Sequence, residues 1–178
     1  MKKTEKRHFS LQPLSRDHGI GLLCAQYGHK AVRASKHDRV RLADQIRSTS
    51  RDVILSYLED EHRVLSPVII DPALRTEFEQ YHKNVRNLLD ELEQLEPAFD
   101  PGLGLMARVA AALETYVRWE ENSLFPALEQ TLNHDDLGKL SGLTSSIEAK
   151  RARPTQKLHR SIALMPSGLP ENWFATNS

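Results

Sequence analysis

The sequence predicts an all-α protein, an antiparallel up-down four-helix bundle with an extra C-terminal helix or tail. Four long stretches carry apolar residues at the three- and four-residue spacing of helices, and the alternation typical of strands is almost absent. The connections between these stretches are short, which favours antiparallel neighbours. The chain has 178 residues, 39% of them hydrophobic and 27% charged. We therefore expect a single domain, residues 1–178, with the bundle at about 14–132 and the tail at 133–178.

The first two predicted helices each carry a candidate site residue on a largely apolar stripe, and the first stripe also holds His29. The first runs from about Leu14 to Ser35, with Ser15 as a plausible N-cap, and bears His18. The second occupies much of 39–70, is expected to be interrupted near 48–50, and bears Glu61. An Asp-Pro pair at 71–72 is expected to end it.

The third and fourth predicted helices repeat this arrangement. The third covers about Pro72 to Glu96 and has His82 on its stripe. The fourth runs from near Pro101 to about residue 132 and has Glu120 in register with its apolar residues. Both polar residues are therefore expected to face the interior.

The tail is less regular than the bundle. Residues 137–150 are expected to form a fifth helix, and Pro154, Pro166, Gly168 and Pro170 are expected to interrupt regular structure beyond it. The apolar groups I-A-L-M-P and N-W-F give the tail a surface to bury. The sequence leaves open whether the tail wraps the bundle or extends to a partner subunit in a homodimer.

Charge and cysteine content argue against several classes of partner. Lys and Arg total 24, as do Asp and Glu, so the formal net charge is zero and we expect no nucleic-acid partner. One cysteine, Cys24, excludes an internal disulfide framework and suits a reducing compartment. No apolar run has the length of a signal peptide core or a membrane span. We therefore expect a cytoplasmic protein that does not bind a membrane.

An internal repeat links the two buried glutamates. Y-L-E-D-E-H-R-V-L-S-P (57–67) aligns without gaps on Y-V-R-W-E-E-N-S-L-F-P (116–126), with Tyr, Glu, Leu and Pro at matching positions. In each half, a helix with one histidine on its stripe precedes the copy. Two such helix pairs packed about a pseudo-twofold axis would bring His18, Glu61, His82 and Glu120 toward one level of the interior.

This combination of buried side chains predicts a metal site. A buried unpaired carboxylate costs several kcal/mol, and a cation is the simplest common partner for two of them. Imidazole nitrogen and carboxylate oxygen suit iron, manganese or zinc, and helical bundles can carry such ligands into their cores. His18, Glu61, His82 and Glu120 are therefore the candidate metal ligands, with the metal left open.

Four motifs resemble those of the hemerythrin-like, or HHE cation-binding, family. They are L-S-R-D-H (14–18), E-H-R-V-L-S-P (61–67), Y-H-K-N-V-R-N-L-L (81–89) and R-W-E-E-N-S-L-F-P (118–126). The family surrounds a non-haem di-iron centre with two lone histidines and two His-x3-Glu pairs. The resemblance implies that His18 and His82 are the lone histidines and that Glu61 and Glu120 are the glutamates. It further implies an iron cofactor, di-iron or mononuclear, and small partners such as oxygen, peroxide or nitric oxide.

The sequence departs from the family pattern at Tyr57 and Tyr116, where the family has the histidine of each His-x3-Glu pair. Residues four apart share a helix face, so each tyrosine is expected to face the same cavity as its glutamate. A phenol could ligate the metal, donate a hydrogen bond or fill space. Because its ordinary pKa is about 10, we favour hydrogen bonding over ligation.

Two functions remain open on the sequence alone. One is a metal-binding protein that senses or handles small oxidants, with enzymatic activity undecided. The other is a metal-free bundle that binds a partner and keeps a vestigial site, in which both tyrosines hydrogen-bond the glutamates. Neighbouring residues are expected to stay outside the site: Glu121 because it turns about 100° away from Glu120, His62 at the bundle edge, and His29 too far along its helix. Cys24 is expected to be buried and inert.

Overall fold

The structure, a computed structural model, describes the backbone of residues 7–96 and 98–163 and the side chains of these ranges up to residue 150. Within them all regular structure is helical, so the predicted all-α class is confirmed. The α-helices are α1 (Gln12–Arg33), α2 (Lys36–Thr49), α3 (Leu55–Leu65), α4 (Pro72–Glu93), α5 (Gly102–Trp119), α6 (Phe125–Thr131) and α7 (His134–Ala163).

Two of the expected long helices contain a π-helical turn. Ser50–Ile54 joins α2 to α3, close to the predicted interruption, and Glu120–Leu124 joins α5 to α6. A 3-10 turn, Ser66–Val68, follows α3. A π turn inserts an extra residue into the helix and changes the face that the following side chains occupy. The second π turn begins at one of the predicted ligands, where the sequence repeat gives no sign of it.

Side-chain caps define where two of the helices begin. The Ser35 hydroxyl accepts a hydrogen bond from the Asp38 backbone N–H at the start of α2, and the Asp71 carboxylate accepts two backbone N–H groups at the start of α4. The expected N-cap of the first helix, Ser15, is wrong. Helix α1 begins earlier, at Gln12, with a proline in its first turn, and the Ser15 hydroxyl is used elsewhere.

Helix α1 lies along α5 with close backbone approach. A Cβ atom placed on Gly28 would lie 2.8 Å from the Cβ of Ala110, so only glycine fits there without a shift. Two turns earlier in α1, a Cβ atom placed on Gly21 would lie 3.6 Å from the Val117 side chain of α5. The start of α1 therefore meets the end of α5, and the two helices run in opposite directions.

Helix α4 contacts both α5 and α2. The Trp119 indole N–H donates to Glu77 at 2.7 Å, and Arg108 pairs with Glu91 at 2.5 Å. Arg47 of α2 donates its Nε–H to the Leu92 carbonyl at 2.8 Å. Buried leucine, valine, tyrosine and alanine side chains from α1 to α5 fill the core between these contacts. The polar cluster described below lies next to this core.

Helix α7 covers a second apolar cluster. Leu140 and Ile147 pack there with Leu11, Leu14 and Phe125, and the Thr144 hydroxyl donates to the Ser10 carbonyl at 2.8 Å. The helix expected at 137–150 is confirmed, but it continues to Ala163, so the expected interruption at Pro154 is wrong. A proline removes one helical hydrogen bond and kinks a helix, and helical residues can continue on both sides of it.

The rest of the predicted tail lies outside the described residues. This applies to Pro166, Gly168, Pro170 and the N-W-F group, and also to the side chains of I-A-L-M-P. Within the described ranges, no helix combines the length and apolarity that crossing a bilayer requires.

Candidate metal centre

The four predicted ligands lie in one polar cluster inside the protein. His18 comes from α1, Glu61 from α3, His82 from α4, and Glu120 from the first position of the second π turn. All four are buried, and the most exposed of them, His82, shows 7% of its surface to solvent. Four separate helical segments thus each contribute one ionisable side chain to the same interior region.

Three of these residues converge closely enough to hold one metal ion. His18 Nε2 lies 2.9 Å from Glu120 Oε2. One ligand atom each from His18, Glu61 and Glu120 lies within 4.8 Å of the other two. Ligands bound to a common ion at about 2.0–2.2 Å are separated by at most roughly 4.4 Å. The buried group therefore needs only small side-chain shifts to surround a cation.

An unsatisfied oxygen supports the same interpretation. Glu120 Oε1 is buried and has no hydrogen-bond partner among the residues that the structure describes. A buried acceptor without a partner costs about 1–3 kcal/mol, so native proteins usually provide water, an ion or a donor for it. The donor set of one nitrogen and two carboxylates, with a free carboxylate oxygen, fits a divalent or trivalent metal.

His82 lies beside this group of three rather than within it. Its Nε2 is 3.6 Å from Glu61 Oε2 and 2.9 Å from the Tyr116 hydroxyl. Because Tyr116 donates its own proton to Glu61, the His82 ring must supply the proton in the bond to Tyr116. His82 therefore interacts with the group of three through Glu61, which it approaches directly and by way of the Tyr116 hydroxyl.

The two tyrosines both donate to the same glutamate. The Tyr57 hydroxyl donates to Glu61 Oε1 at 2.6 Å and lies 3.4 Å from Glu120 Oε2. Tyr116 donates to Glu61 Oε2 through a short hydrogen bond. Tyr57 thus faces the glutamate four residues after it, as expected, whereas the Tyr116 hydroxyl contacts Glu61, in the other copy of the repeat, and His82.

Burial and charge keep both phenols protonated. Desolvation raises the pKa of Tyr57 and of Tyr116 well above the ordinary value of 10.0, and the nearby carboxylates of Glu120 and Glu61 raise it further. This favours neutral hydrogen-bond donors over phenolates in the metal-free protein.

The His18–Glu120 pair holds protons more tightly than free side chains do. Burial and the neighbouring Glu61 raise the pKa of Glu120 to about 8, and His18 opposes this rise. Burial lowers the pKa of His18, but hydrogen bonds to Glu120 and Glu121 outweigh it and raise the value to about 10. Both shifts mean that a cation entering this group displaces protons.

Glu121 belongs to the cluster, so the expectation that it would stay outside the site is wrong. Its Oε1 lies 2.7 Å from His18 Nδ1 and 2.5 Å from the Ser15 hydroxyl, and its Oε2 lies 2.8 Å from Arg7. Burial raises the pKa of Glu121, but these three partners outweigh it and lower the value to about 2.

The π turn explains why sequence reasoning missed Glu121. The expectation used the 100° step of an α-helix, whereas a turn with i to i+5 hydrogen bonds is wider and its step is smaller. The side chains of Glu120 and Glu121 can therefore both reach His18 on α1. The sequence did contain two signs of this contact. Glu120 and Glu121 are consecutive acidic residues, and Ser15 and His18 lie three residues apart on one helix face, where both can contact the same partner.

Other histidines and the cysteine lie outside the cluster. His62 is exposed and stacks on Phe78, with ring centroids 5.9 Å apart, which agrees with its expected place at an edge. His29 is also exposed and pairs with Glu114 at 3.0 Å. Cys24 is buried, as expected, and burial raises the pKa of its thiol to about 12.

A small cavity adjoins the centre. It has a volume of about 10 Å³ and is lined by His18, Tyr57 and Tyr116 and by mostly apolar residues of α1, the first π turn, α3 and α5. This space suits roughly one water-sized molecule. A small exogenous molecule could therefore lie next to the site.

Comparisons of the chain with protein-family models, curated proteins and solved structures find no match. The likeness to the hemerythrin-like family accordingly rests on the sequence motifs.

Proposed function

We propose that this chain is a hemerythrin-like, non-haem metal-binding protein of the cytoplasm. In this proposal the segments α1, α2–α3, α4 and α5–α6 form an up-down four-helix bundle, with α7 as the extra helix. The observation that carries the proposal is the buried group of His18, Glu61 and Glu120, whose ligand atoms converge within 4.8 Å. Burying two carboxylates and an imidazole together is costly unless a cation or a complete hydrogen-bond network compensates them.

Each residue has a distinct part in the proposal. His18 supplies a nitrogen ligand through Nε2, and Glu61 and Glu120 supply oxygen ligands, with Glu120 Oε1 free to bind a metal. His82 becomes a further ligand if its bond to Tyr116 is exchanged for a metal bond. Tyr57 and Tyr116 donate hydrogen bonds to Glu61, which fixes the direction of its lone pairs.

Iron is the proposed metal, as one ion or as a di-iron pair, with zinc or manganese as alternatives. Bound iron would supply an open coordination position for oxygen, peroxide or nitric oxide. The adjoining cavity of about 10 Å³ has room for roughly one molecule of this size, which supports this choice of ligand. Sensing or handling of such small molecules is therefore the proposed role.

The decisive experiment is elemental analysis of the full chain purified without a metal-affinity tag, with a visible absorption spectrum of the same sample. We expect stoichiometric iron, and the iron-to-chain ratio then separates a mononuclear from a di-iron site. Absence of stoichiometric metal even after anaerobic loading with Fe²⁺ would overturn the proposal.

A second candidate is a metal-free helical bundle that binds a protein partner and keeps a vestigial site. The observation in its favour is that both oxygens of Glu61 already accept hydrogen bonds from tyrosine hydroxyls. A complete network of this kind can compensate buried carboxylates without an ion.

Chelation separates the two candidates. A metal that binds only the folded state at about 1,000 times its Kd adds about 4 kcal/mol to the free energy of unfolding. For a chain of this size that corresponds to a rise in Tm of roughly 8–16 °C. The metal-binding proposal predicts loss of this increment on chelation, whereas an unchanged Tm supports the second candidate. A homodimer formed through the tail stays a separate prediction, which a measurement of solution mass tests.

A further inference from the structure

Glu121 and His62 occupy matching positions of the sequence repeat, each directly after the buried glutamate of its copy. In the structure each lies near one of the two buried histidines. Glu121 contacts His18, and the His62 ring lies 5.9 Å from the His82 ring. The two histidines of the cluster therefore have different neighbours, a carboxylate in one case and an imidazole in the other.

The contact with Glu121 fixes the orientation of the His18 ring. Nδ1 lies 2.7 Å from Glu121 Oε1, and Nε2 then points at Glu120 Oε2, 2.9 Å away. The ring also stacks on Phe125, with centroids 5.5 Å apart and planes within 12° of parallel. An imidazole that donates its Nδ1–H to a carboxylate can offer the Nε2 lone pair to a metal.

Glu121 is itself held in place by Arg7 and Ser15. Arg7 Nη2 donates to Glu121 Oε2 at 2.8 Å and to the Glu121 carbonyl at 2.7 Å, and Nη1 donates to Glu129 at 3.1 Å. The Arg7 guanidinium also lies 5.4 Å from the centre of the Phe125 ring. The Ser15 hydroxyl donates to the other carboxylate oxygen at 2.5 Å. Because charge-assisted bonds of this kind are strong and directional, the carboxylate cannot turn away from His18 without losing several of them.

We propose that Glu121 is the positioning residue for His18, and that Arg7 and Ser15 hold Glu121 in place for this role. The inference rests on the proposed metal-binding function and deepens it. It makes His18 the histidine that is prepared for a metal, and it links the segment before α1 to the centre. His82, whose neighbour at the matching position is His62, has an imidazole beside it instead of a carboxylate.

The test measures metal affinity in the full chain by competition with a chelating indicator, using Zn²⁺. Loss of a hydrogen-bond partner behind a metal-bound histidine typically weakens affinity by about 10- to 100-fold. We expect this loss in Glu121→Ala, with stoichiometry at saturating Zn²⁺ unchanged because the ligands remain. Glu121→Gln should recover much of the affinity, since its amide oxygen still accepts from Nδ1–H. His62→Ala is the matched control and should bind as the unaltered chain does.

A spectroscopic measurement separates positioning from a general effect on the fold. In the Zn²⁺-loaded, ¹⁵N-labelled protein, the His18 Nδ1–H proton should be protected from exchange with water and visible by NMR. The signal should persist in Glu121→Gln and disappear in Glu121→Ala. Should Glu121→Ala not fold, Arg7→Gln serves instead, since it removes a partner of Glu121 and leaves the ligands intact, and it should weaken affinity in the same direction.

The outcomes distinguish this inference from the proposed function. If the unaltered chain binds Zn²⁺ and Glu121→Ala binds it equally well with the Nδ1–H signal intact, the positioning role is wrong and the metal site stands. If Arg7→Gln, used as the substitute, leaves affinity unchanged, the inference fails as well. If the unaltered chain takes up no metal, both the inference and the proposed function fall.

Discussion

Both carboxylate oxygens of Glu61 accept hydrogen bonds, whereas Oε1 of Glu120 has no hydrogen-bond partner in the part of the chain that the structure describes. The two glutamates occupy matching positions of the repeat and are equally buried. They differ in backbone, because Glu61 lies within an α-helix and Glu120 begins a π turn. The free oxygen of Glu120 is therefore the most direct point of attachment for an ion, and Glu61 is the more constrained ligand.

Removing either carboxylate should abolish stoichiometric metal binding. Glu61→Gln and Glu120→Gln keep side-chain volume but replace an anionic ligand with a neutral amide, which binds a transition metal far more weakly. Elemental analysis after loading and dialysis measures the result. Glu59→Gln, on an exposed position of the same helix as Glu61, is the control and should bind normally. Full metal content in both core variants would contradict the ligand assignment.

The tyrosines should matter for stability more than for metal content. Tyr57→Phe removes the donor to Glu61 Oε1 and leaves a buried carboxylate oxygen unsatisfied, which costs about 1–3 kcal/mol of unfolding free energy. Urea denaturation of the metal-free protein measures this, and Tyr116→Phe should behave similarly. Tyr81→Phe is the control, because the Tyr81 ring packs on Trp119 at 4.8 Å and keeps that contact without its hydroxyl.

The same variants test for phenolate ligation. Because burial and the carboxylates raise the pKa of both tyrosines, we expect no phenolate-to-iron absorption band in the iron-loaded protein. A broad visible band that vanishes in Tyr57→Phe or Tyr116→Phe would instead make that tyrosine a ligand.

Stability of the metal-free protein should fall as pH rises. The pKa of His18 is raised from 6.5 to about 10, so its stabilising contribution is complete below pH 6.5 and lost as pH rises through about 10. The pKa of Glu120 is raised from 4.5 to about 8, so the folded state holds this proton more tightly than the unfolded state does. The resulting contribution to stability is complete below pH 4.5 and is lost as pH rises through about 8. We therefore expect Tm, measured by calorimetry, to fall between pH 6.5 and 10.

The variant His18→Gln isolates the contribution of the histidine to this slope. Its Tm should depend less on pH above 6.5 than that of the unaltered chain, measured by calorimetry in the presence of a chelator. An unchanged slope would show that the His18–Glu120 pair does not hold its proton in the folded state.

Two glycines of α1 should respond in opposite ways to alanine. A Cβ at Gly28 would lie 2.8 Å from Ala110 Cβ and 3.0 Å from the Met106 carbonyl oxygen, so Gly28→Ala should destabilise by about 1–3 kcal/mol. Gly19 has nothing within 4 Å of the same position, so Gly19→Ala should stabilise the helix by about 0.5–1 kcal/mol. Paired denaturation curves measure both. A neutral Gly28→Ala would mean that α1 and α5 are not in close contact at this point.

Helical periodicity predicted much of the fold because it is a local property. Apolar residues three and four apart mark a buried helix face wherever the helix packs, so the all-α class and the burial of His18, Glu61, His82 and Glu120 followed from the stripes alone. The start of α1 and the length of α7 did not follow. The Ser15 hydroxyl donates to Glu121 instead of capping α1, and α7 continues through Pro154, and local propensity is only a weak guide to such helix boundaries.

The sequence by itself determined that this chain is helical and that two histidines and two glutamates lie on buried faces. Only the tertiary structure decided which of them meet. It brought Glu121 to His18, turned Tyr116 to Glu61 and His82, and left His82 beside the group of three. The physical reason is that side-chain pairing between helices depends on their mutual register and on the π turn at Glu120–Leu124. Both arise from packing among distant segments, which no local pattern of residues encodes.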